Sequence, residues 1–193
     1  MDSLFAANRE FVRRVLINPF DWEWSVQGFG MLRTYLDANK RFRLNIWDSN
    51  LAVPDVSLIH NHPWDFYSYI ISGKFTNVRY FKDPNGDEYD WMVIKTGEGG
   101  GPDGRSGTIR MSPAIFPQCY HQGDVYNQES TEIHKSMYTN GTVTLNDRTP
   151  KLDSEHAVVF WPHGESWVDA EPRPATTQEI AATCQNAFRL FDQ

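Results

Sequence analysis

Ser57-Leu-Ile-His-Asn-His-Pro-Trp-Asp-Phe-Tyr-Ser-Tyr-Ile-Ile-Ser-Gly73 is the stretch on which the reading of this chain turns. At its centre stand His60 and His62, one residue apart. Side chains on a β-strand repeat every two residues, so such a pair shares one face. Aliphatic residues precede it, aromatic and polar residues alternate after it, and Ser72-Gly73 supplies a turn. The spacing predicts a strand that presents two imidazoles to one metal ion. A third ligand must come from elsewhere, and His134 is the leading candidate. His121 takes its place if the strand register differs, because a slip of one residue turns a side chain to the other face.

Working outward, the rest of the chain also reads as short strands. Met31 to Leu36 and Arg41 to Trp47 alternate with period two, joined by a hairpin turn at Asp37-Ala-Asn-Lys40. Asp48 to Asp55, with Pro54, reads as a loop. Phe75 to Phe81 is a strand, Asp83-Pro-Asn-Gly86 a turn, and Tyr89 to Ile94 a strand pairing back. Gly97 to Gly107 holds six glycines in eleven residues and cannot pack a core. It is read as a long hairpin tip, the alternative being a mobile loop beside a site. Further strands are expected at 108–116, 120–126, 134–138, 142–146 and 157–161, with a hairpin turn at Asn140-Gly141.

Helices are expected at both ends. Leu4, Phe5, Phe11, Val12, Val15 and Leu16 recur at helical spacing over residues 3–17, and Asn18-Pro19 stops that helix. Phe20-Asp-Trp-Glu-Trp24 is read as an aromatic plug at one end of the core. The Pro-rich Glu171 to Pro174 leads to a capping box at Thr176 and Glu179 and a helix over 178–191. Some ten short strands between two helices predict a mainly β domain, an antiparallel sandwich or barrel closed by the helices.

Composition sets limits on function. The 193 residues suit one domain, and an aromatic share of 14% is too high for a disordered chain. A net charge of -7 argues against a nucleic-acid partner. The expected partner is a small-molecule substrate. No apolar run approaches a membrane span of roughly 18 residues, and the first residues do not resemble a secretory signal. Cys119 and Cys184 are read as free thiols, and the default location is the cytoplasm. No Gly-x-Ser-x-Gly elbow and no phosphate loop is present, which removes two common kinds of catalysis.

With these residues in view, the chain resembles the cupin superfamily over about residues 30–162. In the first cupin motif, Gly-x5-His-x-His-x3or4-Glu-x6-Gly, His60, His62 and Gly73 fall in register. In the second, Gly-x5-Pro-x-Gly-x2-His-x3-Asn, Gly123 and His134 keep the spacing. The wording His-Asn-His-Pro-Trp-Asp-Phe is most similar to small bacterial and phage cupins. Departures are clear: the glutamate slot holds Phe66, or Tyr67 if the register moves, and Pro54, Glu129, Thr131 and Tyr138 replace other motif residues. Three histidines without a carboxylate resemble the ligand set of thiol dioxygenases, a cupin branch that uses ferrous iron.

The resemblance implies a jelly roll holding a divalent metal on His60, His62 and His134. Fe(II) comes first; Zn, Ni or Mn suits the same donors. It further implies an oxidoreductase of dioxygenase type acting on a small polar or thiol substrate, and pairing as a homodimer. The alternatives are a binding module for a small ligand or metal, and a metal-independent isomerase using histidine as a base. Two residues are candidates for supporting catalytic roles: Asp65 as an acceptor orienting an imidazole, and Tyr138 as a donor to a bound oxygen or substrate. His156 and His163 are expected on the surface. Any of Arg33, Arg43 and Arg79 that points inward would suit a substrate carboxylate.

Overall fold

The computed structural model describes residues 3–54, 56, 58–95, 101–149, 156–166, 168 and 172–191. Helix α1 (Ser3–Ile17) is followed by a 3-10 turn (Pro19–Asp21), and then β1 (Ser25–Gln27), β2 (Phe29–Tyr35), β3 (Phe42–Ala52), β4 (Ile59–His60) and β5 (Phe66–Ser72). The long β6 (Lys74–Lys95) precedes β7 (Gly101–Pro113), β8 (Gln118–His121), β9 (Val125–Gln128) and β10 (Ile133–Tyr138). The chain continues with β11 (Thr142–Arg148), β12 (His156–Pro162), β13 (Arg173–Pro174) and α2 (Thr177–Phe191). Two antiparallel sheets result, one in the order β13-β1-β2-β3-β11-β5-β9 and one in the order β10-β4-β12-β6-β7 with β8 on β6. This is the expected mainly β sandwich of jelly-roll kind, with a helix at each end.

Period-two alternation divides the first sheet into an outer and an inner face. Outward, Leu32, Leu44, Ile46, Ile71, Val143 and Leu145 form one buried cluster with Val12, Val15 and Leu16 of α1 and Ile180, Cys184, Ala187 and Phe191 of α2. Inward, Met31, Trp47, Phe66, Ile70 and Tyr126 join Trp64 and Phe75 in a second cluster between the sheets. Thus the helices cover the back of the sheet, and the site lies in front of it. Helix α2 starts on the expected capping box: Glu179 N–H donates to Thr176 Oγ1 at 3.2 Å, and Thr176 N–H to Glu179 Oε2 at 2.8 Å.

Several local expectations are corrected. Asp83 to Gly86 is not a hairpin end but a bulge within β6, since Met111 pairs with both Lys82 and Asp87. Asp83 still makes its turn, accepting from Asn85 N–H at 2.9 Å and from Ser112 Oγ at 2.7 Å. The strand on β7 simply bridges across it. Tyr89 to Ile94 therefore runs on in the same direction and pairs with β12 and β7. Of the glycine-rich stretch, 96–100 lie outside the described residues, whereas 101–107 are strand. Gly107 packs flat on the Trp91 indole, where a Cβ would come within 3.0 Å.

Asn140-Gly141 is a turn but joins no hairpin. It carries the chain from β10 in one sheet to β11 in the other. Ser72-Gly73 does the same between β5 and β6, and both glycines have positive φ, 82° in each case. Strand β3 runs on to Ala52 where a loop was expected, because a register shift between Phe29 and Met31 takes up the extra residues. The 120–126 strand is split into β8 and β9 by a turn at Gln122-Gly123. The aromatic plug is half correct: Trp24 is buried and donates to Pro19 O at 2.7 Å, but Phe20 is exposed.

Candidate metal centre

The decisive stretch does not form one strand. Strand β4 ends at His60, and Asn61 to Asp65 is a corner that crosses from one sheet to the other before β5 begins at Phe66. Pro63, which has no N–H to give a ladder, falls at this corner. Asn61 holds the corner in place: its N–H donates to Val158 O at 3.0 Å, and its side chain accepts from Val158 N–H at 2.7 Å. His62 N–H donates to Ser130 O at 3.4 Å.

The three imidazoles nonetheless meet. His134 on β10 lies directly opposite His60 on β4 as a cross-strand pair. Ring centroids are 4.8 Å apart for His60 and His134, 4.7 Å for His60 and His62, and 5.1 Å for His62 and His134. One nitrogen from each ring lies within 4.8 Å of the others. This group can hold a metal ion. Among the described residues no carboxylate or thiol joins it. The position at which the resemblance would put a carboxylate is filled by Phe66, buried and edge-on to His62 at 5.1 Å. The alternative slot, Tyr67, is exposed.

Hydrogen bonds set which nitrogen two of the rings offer. His60 Nδ1 lies 3.1 Å from Leu58 O, a pure acceptor, so Nδ1 carries the proton and Nε2 the lone pair. His134 Nδ1 lies 2.8 Å from Asn77 Oδ1. Asn77 is itself oriented, donating through Nδ2 to Gln128 Oε1 at 2.8 Å, and Gln128 Nε2 donates to Glu132 O at 3.3 Å. Asn77 and Gln128 are fully buried. Hence the His134 Nε2 lone pair is also free for a ligand role, and it lies 2.9 Å from His62 Nε2. Two donors about 2.1 Å from one ion and at right angles to each other would be roughly 3 Å apart. The His62–His134 spacing therefore suits a shared ion, and the group of three can hold one.

Burial keeps all three rings neutral. Desolvation lowers His60 to about 4, outweighing the Leu58 carbonyl that favours its cation. Desolvation, aided by neighbouring cationic groups, holds His62 and His134 well below the usual histidine range. Neutral imidazole is the form that ligates metal.

The other candidates lie as follows. The Asp65 carboxylate reaches no imidazole; it accepts from Ser130 N–H at 2.7 Å and so ties the corner to the turn before β10. Its backbone carbonyl accepts from Thr149 N–H at 2.9 Å. Tyr138 donates to Phe29 O at 2.9 Å, and the Phe29 ring stacks on His60 at 5.0 Å. Tyr138 is thus linked to the His60 ring through Phe29. His121 is excluded as a ligand: it is exposed on β8, beside Asp124 and opposite Lys74. His163 is exposed and paired with Asp90, whereas His156 begins β12 half-buried, 3.4 Å from Asp103. Arg79 is paired with Glu132 at 2.9 Å.

Sequence reasoning missed Asn77 and Gln128. The only available signal was Asn77 on the strand expected at 75–81; Gln128 falls between the strands expected at 120–126 and 134–138. Cys119 and Cys184 are free thiols, and no helix among the described residues is long and apolar enough to cross a membrane. No protein-family model matches the chain, and no curated protein matches it.

Proposed function

We propose that this protein is a cupin-like, metal-dependent oxidoreductase whose single ferrous ion is held by His60, His62 and His134. One observation carries the reading: three neutral imidazoles converge, two of them with Nε2 lone pairs fixed by their Nδ1 partners, and among the described residues no carboxylate completes the set. Such a set leaves the ion's charge uncompensated by protein and its remaining positions open. Bound there, ferrous iron supplies sites for dioxygen and for a substrate donor atom, as in dioxygenase chemistry. The chain's own part is to orient and to exclude water. Asn77 and the Leu58 carbonyl fix two of the rings. Trp64 and Phe66, both buried, wall His62 against solvent.

A second reading rests on the 2.9 Å contact between His62 and His134, taken as an N–H···N hydrogen bond in a metal-free site. It is the weaker one. With His60 lowered to about 4, a free imidazole here is a poor base at neutral pH.

Oxygen consumption by protein loaded anaerobically with Fe(II) tests the proposal against a panel of small polar acids and thiols. Substrate-dependent uptake that disappears in His60→Ala is expected. Flat uptake from fully loaded protein contradicts the oxidoreductase reading and leaves a binding module. Activity that survives chelation supports the metal-free reading.

A further inference from the structure

The interior of the sandwich holds a second unusual group beside the histidines. Arg33 and Tyr35 on β2, Arg43 on β3 and Arg148 on β11 share the inner face of the first sheet, as their parity with Met31, Trp47 and Thr144 requires. Tyr35 is paired with Arg43 across the strands, and Asn146 with Arg43 on the other side. Arg43 is 6% exposed and Arg148 7%. Among the described residues no carboxylate pairs with Arg33, Arg43 or Arg148. Arg148 donates to the Tyr35 hydroxyl at 3.2 Å, and Arg33 Nε to Ser25 Oγ at 3.1 Å. Among the described residues, Nε of Arg43, Nε of Arg148 and Nε1 of Trp64 are buried donors without a partner.

Uncompensated buried cations are strongly destabilising, and a chain with net charge -7 has acids enough to pair them. Desolvation and the two neighbouring guanidiniums disfavour the Arg43 cation, though arginine stays protonated at neutral pH. Burial alone would raise Tyr35, yet the three guanidiniums together bring it down to about 8. Three positive charges thus face one another with donors to spare. The cluster also adjoins the histidine site: the Arg148 guanidinium lies 3.7 Å over the Trp64 ring, which also stacks on His62 at 5.9 Å.

We propose that Arg43, Arg148 and Tyr35, with Arg33 behind them, form a binding pocket for a doubly charged oxyanion, and that the substrate of the histidine centre is a small molecule carrying such a group. Phosphate monoesters and dicarboxylates share this chemistry: planar guanidiniums bind both in bidentate fashion. The binding of the anion stands on the arginines alone. Its assignment to the substrate rests on the metal reading above.

The test uses chelator-treated full-length protein, titrated with inorganic phosphate and separately with malonate, at ionic strength fixed by chloride. Saturable binding, read by calorimetry and by a rise in melting temperature, is expected for at least one of them. Which of the two binds distinguishes the phosphate from the carboxylate source. Arg148→Met is expected to weaken it by about ten- to a hundred-fold. Without anion, Arg43→Met is expected to melt no lower than wild type, because it relieves repulsion; an arginine kept only for structure would melt lower. His134→Ala is expected to retain anion binding and Arg148→Met to retain metal, so loss of one property does not count against the other. No saturable binding of either probe by the wild-type protein overturns the proposal, as does unchanged affinity in Arg148→Met.

Discussion

Asn77 does for His134 what no carboxylate in this centre does. It is fully buried, accepts the Nδ1 proton and is itself held by Gln128. Asn77→Leu removes the acceptor and leaves Gln128 Oε1 unpaired. Metal affinity is expected to fall about ten- to a hundred-fold, and stability by about 1–3 kcal/mol. Metal-competition titration and urea denaturation check these separately. Gly30 makes a different kind of support. Its φ is 81°, and a Cβ there would run into the Tyr138 hydroxyl and the Asp48 carbonyl. Gly30→Ala is expected to cost about 1–3 kcal/mol, with part of the loss recovered in a Tyr138→Phe background. Equal losses in both backgrounds would show that the hydroxyl is not the obstacle.

Among elements, α2 tests the packing of the back of the sheet. Its capping box links Thr176 and Glu179, and Arg173 closes on Glu179 at 2.5 Å. Thr176→Ala is expected to cost about 1 kcal/mol, seen as a shift in the urea midpoint at constant slope. At this scale much could be read in advance. The β2–β3 hairpin, the helix stops and the cap were legible because each depends on neighbours in sequence. Turns were legible as turns, but not in what they join. Asn140-Gly141 and Ser72-Gly73 carry strong local signals, yet each crosses between sheets. Whether a turn closes a hairpin or crosses a sandwich is decided by long-range pairing. Likewise Asp83 to Gly86 has the chemistry of a hairpin turn and becomes a bulge because β7 spans it.

At the scale of the whole molecule, the site is a cluster of charge-sensitive groups between the sheets of a sandwich, with His134 buried and His60 and His62 half-buried. His60, His62 and His134 were legible through motif spacing. Their amide supports and the arginine cluster were not, because strand parity alone does not say which face is interior. Desolvation of these rings has a pH consequence. An unfolded histidine titrates near about 6.5, whereas folded His60 is lowered to about 4, mainly by desolvation, and His62 and His134 are lowered too. Between those values the unfolded chain binds more protons, so stability falls as pH falls. Metal-free protein is expected to be fully stable above about pH 6.5 and to lose stability progressively towards the His60 value of about 4. Urea midpoints measured at successive pH values check the slope, which is expected to be shallower in His60→Asn.

The convergence of three imidazoles on one ion is tested most directly by metal stoichiometry. Protein purified without chelator and reconstituted anaerobically with Fe(II) is to be analysed by elemental mass spectrometry, alongside folded His60→Ala, His62→Ala and His134→Ala. The account predicts close to one ion per chain for the wild type and a near-complete loss in each variant. A wild-type protein that retains no metal, or three variants that retain it undiminished, would contradict it.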